Sequence, residues 1–171
     1  LGQINRKSRT LCTDTFYNVK ANFQVMVRNL VNGGMADVLM EENEDVLEAG
    51  INVIARPPGK EPKHIDALSG GEQAMTTLAL IFSIYQLKPA PFCILDEVDA
   101  PLDEGNVDRF NLVVREFLDH SQFIIITHNK KTMSYADTIY GVTMQEKGVS
   151  RKIAINFNDL EEQEEALLAN G

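Results

Sequence analysis

Apolar side chains recur every three or four residues in two stretches of this chain. Residues 10–31 and residues 106–118 both show this spacing, which predicts two amphipathic helices, each with one buried face. Asn32-Gly33-Gly34 is a typical helix stop and predicts the end of the first helix. Residues 72–87 are apolar on nearly every side, which predicts a third helix that is buried all round.

Short apolar runs predict the strands. A-D-V-L-M and G-I-N-V-I-A-R flank an acidic turn and predict two strands joined by a polar loop. Residues 92–95 and 123–126 are fully apolar and predict parallel strands covered on both faces. A helix lies between them, so we expect a right-handed crossover that brings both strand ends to the same edge of the sheet.

The last third of the chain predicts a short helix near residues 131–137 and a hairpin around Glu146-Lys147-Gly148. Residues 159–169 predict a short acidic helix or a frayed tail. The whole pattern predicts an α/β fold with a mostly parallel sheet flanked by helices, a β-hairpin edge and a long amino-terminal helix. At 171 residues we expect a single domain over 1–171, with 159–171 as an acidic tail.

Composition narrows the class of protein. The formal net charge of -9 argues against a general nucleic-acid-binding surface. The longest apolar runs are far shorter than the ~20 residues needed to span a bilayer, so we expect no membrane contact. Cys12 and Cys93 make no disulfide framework, which fits a reducing cytoplasm. The start at Leu1 suggests a piece of a longer protein.

The string L-S-G-G-E-Q occupies residues 68–73, directly before the apolar helix. One interpretation is a capping box, with Ser69 as the N-cap and Glu72 folding back onto it. The other is a phosphate contact, because a helix start offers unpaired amides and Gly70 and Gly71 allow close approach. Both interpretations can hold together.

Polar residues follow the two apolar strands. Asp96 and Glu97 could belong to an ordinary polar turn, Asp103 could cap the next helix, and His128 could be a hydrogen-bonded loop histidine. In nucleotide hydrolysis, however, a strand-end Asp holds Mg²⁺ and a nearby acid activates water. Asp96 would then be the metal ligand and Glu97 the general base, while His128 would contact the γ-phosphate or position the water.

The phosphate-cradling loop of such a site has the form G-x-x-x-x-G-K-[ST], which occurs nowhere in the 171 residues. The sequence therefore predicts half of an ATP site, and a fragment that hydrolyses no ATP alone.

These motifs, in this order, resemble those of ABC-type ATPase heads. L-S-G-G-E-Q resembles their signature motif, and C-I-L-D-E resembles their Walker B motif. Leu102-Asp103 resembles their D-loop, and I-T-H-N resembles the segment with their switch histidine. The stretches K-P-A-P-F-C-I-L-D-E-V-D-A-P-L-D and Y-G-V-T-M-Q-E-K-G-V-S are most similar to the SMC family (structural maintenance of chromosomes). Over roughly residues 16–156, the chain resembles the carboxy-terminal lobe of an SMC head, an ABC-ATPase-like half head.

The resemblance implies ATP and Mg²⁺ as cofactors. Asp96, Glu97 and His128 would serve the nucleotide of their own head, with Asp96 on the metal. The remaining nucleotide-binding residues implied by the motifs are Ser69, Gly70, Gly71, Glu72, Gln73 and Asp103. Gln73 stands where the family often has a basic residue, and Pro101 and Gly105 alter the D-loop.

The resemblance also implies partners. The amino-terminal head lobe of the same protein would supply the phosphate loop, and a second SMC head would pair with this one in the presence of ATP. A kleisin subunit would bind through its winged-helix end, and the full complex would act on DNA in chromosome condensation and segregation. Residues 1–15 would lie near the coiled coil. The location would be a bacterial cytoplasm, with the nucleoid, rather than a eukaryotic nucleus.

Three alternatives stay open at this point. One is a DNA-repair ATPase head of the same superfamily, which shares the motifs. Another is a non-catalytic lobe that serves mainly as a kleisin-binding scaffold, consistent with the missing phosphate loop. A transporter subunit is disfavoured, because Val98-Asp99 replaces the Pro-Thr type of sequence that ABC transporters carry after the Walker B acids.

Overall fold

A computed structural model describes residues 2–43 and 45–156 of the chain. The chain divides into two compact units, residues 1–128 and residues 129–171. The expectation of a single domain over residues 1–171 stays a prediction. The predicted acidic tail, residues 159–171, lies outside the described residues.

The first unit opens with one long helix, α1 (Gly2–Leu30), which begins eight residues before the apolar spacing does. Its buried face is formed by Phe23, Met26, Val27 and Leu30, and it packs against the second helix and the first strand. Asn32 and Gly33 adopt positive φ angles of 47° and 88°, which end the helix as predicted.

A small antiparallel sheet follows. Strands β1 (Met35–Met40) and β2 (Ile51–Arg56) pair as predicted, with Val38 opposite Val53. A two-residue strand, β3 (Lys63–His64), adds to β2. A 3₁₀ turn at Ile65–Ala67 then leads to the next helix.

The second half of this unit is a strand–helix–strand arrangement after helix α2 (Gly70–Leu87). Strand β4 (Phe92–Asp96), helix α3 (Glu104–Glu116) and strand β5 (Gln122–Ile126) follow in order. The strands are parallel, with Asp96 opposite Ile126, so both end at one edge as predicted. An aromatic cluster joins the helices to β5, and its members are Phe82, Tyr85, Phe110, Phe117 and Phe123.

One face of the β4–β5 pair is uncovered, against the prediction of strands buried on both faces. Alternation turns Cys93, Leu95, Phe123 and Ile125 toward the core. The opposite face keeps its side chains about half exposed: Phe92 57%, Ile94 57%, Ile124 47% and Ile126 51%. The prediction of a helix buried all round is also wrong, since Ile81 and Ile84 of α2 are exposed. Apolar composition indicates that a surface favours burial, but it does not indicate which part of the structure covers that surface.

The expected mostly parallel sheet is wrong as well. The β4–β5 pair is parallel, whereas the other two sheets among the described residues are antiparallel. Strands joined by short turns pair antiparallel because only a long crossover permits parallel pairing. The mixed α/β class and the long first helix are confirmed.

The second unit contains a short helix, α4 (Lys130–Met133), and a hairpin of β6 (Thr138–Glu146) and β7 (Val149–Asn156). The hairpin is confirmed, with Gly148 at φ 87° in its turn. The helix is shorter than the predicted span 131–137. Across residues 2–43 and 45–156, no helix combines the length and apolar character needed to cross a bilayer.

Candidate functional site

The start of α2 is held by hydrogen bonds between close neighbours in sequence. Ser69 is the N-cap and forms the predicted capping box with Glu72. The Glu72 carboxylate accepts from the Ser69 amide at 3.2 Å and from Ser69 Oγ at 2.7 Å. Lys60 Nζ donates to the other carboxylate oxygen of Glu72 at 2.7 Å.

These bonds determine the charge of Glu72. The hydrogen bond from Lys60, followed by that from Ser69, lowers the Glu72 pKa from 4.5 to about 2. Glu72 is therefore a carboxylate at neutral pH, and its negative charge lies in the first turn of α2, where the helix dipole stabilises it. The Ser69 hydroxyl proton points to this carboxylate, so a phosphate that took the hydroxyl would compete with Glu72.

Gly70 and Gly71 form the first turn of α2, where amides have no acceptor inside the helix. A Cβ on Gly71 would lie 3.4 Å from the Pro101 carbonyl oxygen, so the helix start lies against the loop after β4. Together with Val98 of that loop, the exposed side of α2 borders an open cleft of ≈ 320 Å³. Its other lining residues are Gly70, Gln73, Ala74, Thr77, Leu78 and Ile81.

The loops after β4 and β5 lie side by side. Asp96 is the last residue of β4 and is exposed. The next residue, Glu97, continues the strand pairing by donating its amide to the Ile126 carbonyl at 2.8 Å. Glu97 has φ 49°, a left-handed conformation that is uncommon for residues other than glycine and is found at functional sites.

Glu97 and His128 come together at this edge, as the strand order predicted. The His128 Nδ1 and Glu97 Oε1 atoms are 3.6 Å apart. Both side chains face solvent, 76% exposed for His128 and 59% for Glu97. A carboxylate that can accept a proton thus lies beside an imidazole that can donate a hydrogen bond. The catalytic roles assigned to the two residues stay predictions.

Asp99 and Thr127 belong to the same two loops, and the sequence analysis gave neither a role in this site. Asp99 is 2% exposed, and its Oδ2 accepts from Thr127 Oγ1 at 2.7 Å. The available signal was an acid two residues after Glu97 and a threonine directly before His128.

Asp103 caps α3, as one interpretation predicted. Its carboxylate accepts from the Asn106 amide at 2.8 Å and from Asn106 Nδ2 at 3.1 Å. The cap orders the loop that runs from Asp96 to α3. A nucleotide contact by Asp103 stays a prediction.

The donors present fit a magnesium ion of the nucleotide-bound kind. Within the described part of the chain, no group of three or more His, Cys, Asp or Glu side chains could hold a metal by itself. Mg²⁺ bound with a nucleotide needs only one or two carboxylates, because phosphates and waters complete its shell. The exposed carboxylate of Asp96 can supply that one ligand.

The sequence matches the family model described as RecF/RecN/SMC N terminal domain over residues 6–151. Chromosome partition protein Smc of Rhodopirellula baltica is 52% identical over 162 residues, covering 95% of this chain and 14% of that protein. The Bacillus subtilis protein of the same name is 46% identical, covering 87% of the chain and 13% of its own length. The chain thus spans about one seventh of these relatives.

Solved structures of SMC heads are also similar to this chain. An Smc head domain from Pyrococcus furiosus, bound to the C-terminal domain of ScpA, has a TM-score of 0.88 and 37% identity. The match covers 97% of this chain and 42% of that one. A structure from work on ATP-driven dimerization and DNA-stimulated activation of SMC ATPases has a TM-score of 0.78 and 36% identity. It covers 93% of this chain and 96% of that one.

One expectation requires correction. The matched family model is described as an N terminal domain, which contradicts the assignment of this chain to the carboxy-terminal lobe and to the carboxy-terminal half of a head. The motifs used for that assignment describe local chemistry at a helix start and at strand ends. They contain no physical information about the position of a segment within a longer chain.

Proposed function

This chain belongs to the RecF/RecN/SMC family, and on that basis we propose that it forms part of an SMC ATPase head that acts in chromosome partition. In this proposal it supplies helix-start amides and strand-end acids to ATP sites. The family description also includes RecF and RecN, but relatives at 46–52% identity are chromosome partition proteins, which favours that role over DNA repair.

The observation that carries the proposal is the pairing of Glu97 with His128 at the strand edge, 3.6 Å apart. Water would add to the γ-phosphorus of ATP while its proton passes to Glu97, and the bond to the bridging oxygen of the departing ADP would break. His128 would donate a hydrogen bond to a γ-phosphate oxygen. Asp96 would hold Mg²⁺, which supplies charge neutralisation of the phosphates.

The start of α2 would act on a nucleotide held by a second head. Ser69 and Gly70 are exposed at the positive end of α2, Gly71 is half-buried in the same turn, and Gln73 is exposed beside them. The ATP-driven dimerization described for the related SMC ATPases supports this assignment. Glu72 would orient Ser69, and Asp103 would order the intervening loop.

A phosphate loop must come from a segment outside these 171 residues, since the sequence contains none. The uncovered apolar face of β4 and β5 supports the presence of a further segment in the complete head. We therefore propose that the chain turns over ATP only as part of the longer protein. Smc head domains bound to ScpA support a kleisin partner, and DNA would be engaged by the full complex in the cytoplasm.

Replacing Glu97 by Gln in the full-length parent protein tests the proposal. The amide keeps the shape of the side chain but cannot accept the proton, so we expect ATP turnover to fall by about 10²- to 10⁴-fold. ATP-driven pairing of heads, measured by light scattering or cross-linking, should remain. Glu116→Gln, an equal charge change at the exposed end of α3, is the control and should keep normal turnover. Normal turnover in the Glu97 variant would refute the assigned role.

A further inference from the structure

A partly buried hydrogen bond joins the two loops that carry Glu97 and His128. Asp99 lies two residues after Glu97, and Thr127 directly precedes His128. The Thr127 hydroxyl donates to Asp99 Oδ2 at 2.7 Å, and Asp99 is 2% exposed. We infer that Asp99 and Thr127 are positioning residues that set the separation of Glu97 and His128 during ATP hydrolysis. The inference rests on the proposed function of that pair.

A main-chain hydrogen bond ties Glu97 to the end of β5. The Glu97 amide donates to the Ile126 carbonyl at 2.8 Å, one residue beyond the last strand pair, Asp96 and Ile126. Beyond Glu97 the chain turns away, with Ala100 donating to the Glu97 carbonyl at 3.1 Å. The Asp99–Thr127 bond is a second link to the end of β5, on the other side of Glu97. Glu97 is thus bracketed by two links to the loop of its partner.

The backbone of Glu97 needs such support. Its φ of 49° is unfavourable for a residue with a Cβ and persists only where the surroundings over-determine it. The Glu97 and His128 side chains are too exposed for packing to hold them. Their separation therefore follows from the positions of the two loop backbones, which the Asp99–Thr127 bond connects.

The position of the Asp99–Thr127 bond indicates a role beyond general stabilisation of the fold. A buried carboxylate costs desolvation free energy, and an apolar residue often serves stability as well or better. A hydrogen bond has a defined direction and length, which apolar packing lacks. At Asp99 that directional contact lies two residues from the proposed general base and one residue from the proposed switch histidine.

The test is Thr127→Val in the full-length parent protein, which removes the hydroxyl and keeps the side-chain volume. We expect kcat to fall by about 10- to 100-fold, the loss typical of misplaced catalytic groups, with KM for ATP and ATP-driven head pairing unchanged. Thr127→Ser keeps the hydroxyl and should restore most of the lost kcat. Ser83→Ala removes another 2.7 Å hydroxyl bond, from the buried Ser83 to the Leu80 carbonyl in α2, and should leave kcat unchanged.

A normal kcat in Thr127→Val, or a lowered melting temperature with unchanged kcat, would overturn the inference. If that variant does not fold, Thr127→Ala offers the same measurement, because it also removes the hydroxyl and fits within the same space. A normal kcat in the Thr127→Ala variant would also overturn it. Glu97→Gln, measured in parallel, separates the two proposals. If Glu97→Gln does not lower ATP turnover, the proposed function is refuted. If Glu97→Gln lowers turnover while Thr127→Val keeps a normal kcat, only the positioning role is refuted.

Discussion

The start of α2 and the loops after β4 and β5 are ordered by different kinds of contact. At the helix start, Ser69 and Glu72 are three residues apart, and Lys60 is only twelve residues from Glu72. At the strand ends, Glu97 meets His128 and Asp99 meets Thr127 across roughly thirty residues of chain. The helix start is therefore a local structure, whereas the acid–histidine pair exists only because two parallel strands finish together.

The largest expected effect comes from removing the packing that supports β4 and β5, the strands whose ends carry the second region. Phe82 is fully buried between α3 and β5, with its ring stacked on Phe117 at 5.4 Å between centroids. Phe82→Ala should lower the free energy of unfolding of the chain by about 3–5 kcal/mol, because it leaves a cavity beneath the strands. Urea unfolding measures this change in the free energy of unfolding.

Ile81→Ala, at an exposed neighbouring position on α2, is the matched control and should cost far less. Equal losses in the Phe82 and Ile81 variants would show that the aromatic cluster does not hold the strands in place.

A smaller effect tests the loop between the two regions. Asp103→Ala removes the side-chain acceptor of the Asn106 amide at the start of α3, and should destabilise the chain by about 1 kcal/mol. Asp103→Asn keeps an acceptor in the same place and should cost little. Thermal unfolding of both variants makes the measurement, and similar melting temperatures for Ala and Asn would contradict the capping role.

The smallest effect concerns the local region and depends on pH. The Glu72 pKa is about 2 in the folded chain and 4.5 as its usual value, so Glu72 contributes stability above pH 4.5. That contribution is lost as the pH falls from 4.5 toward 2. Lys60→Met removes the main cause of the lowered pKa and should cost less than about 1 kcal/mol at pH 7, because the pair is partly exposed.

Chemical unfolding of Lys60→Met and wild type at pH 7 and pH 3 checks the sign. The difference between them should shrink at pH 3, and Lys60→Arg, which keeps a cation, should resemble wild type. A difference that grows on acidification would show that Glu72 does not account for it.

Expectations based on local patterns were confirmed more often than those that needed a partner surface. The capping box at Ser69, the cap at Asp103 and the hairpin turn at Gly148 involve neighbours in sequence, and the structure shows all three. The proximity of Glu97 and His128 was also predictable, since parallel strands joined by a crossover end at one edge. The Asp99–Thr127 bond was not, because nothing in the pattern shows which polar side chains are buried.

Expectations about coverage and placement were less successful. The apolar runs of α2, β4 and β5 predicted burial on all sides, yet each keeps an exposed apolar face. The assignment to a carboxy-terminal lobe was contradicted by the family match. Both expectations concern what surrounds a segment, and the residues within the segment do not determine its surroundings.

By itself, the order of residues determined the helix caps, the turns and the alternation of strand side chains, because hydrogen bonds and backbone preferences within a few residues govern them. Only the tertiary structure decided which strand face meets α2 and α3, and that Asp99 is buried against Thr127. Those outcomes depend on packing between segments far apart in the chain, where each contact is set by the positions of all the others.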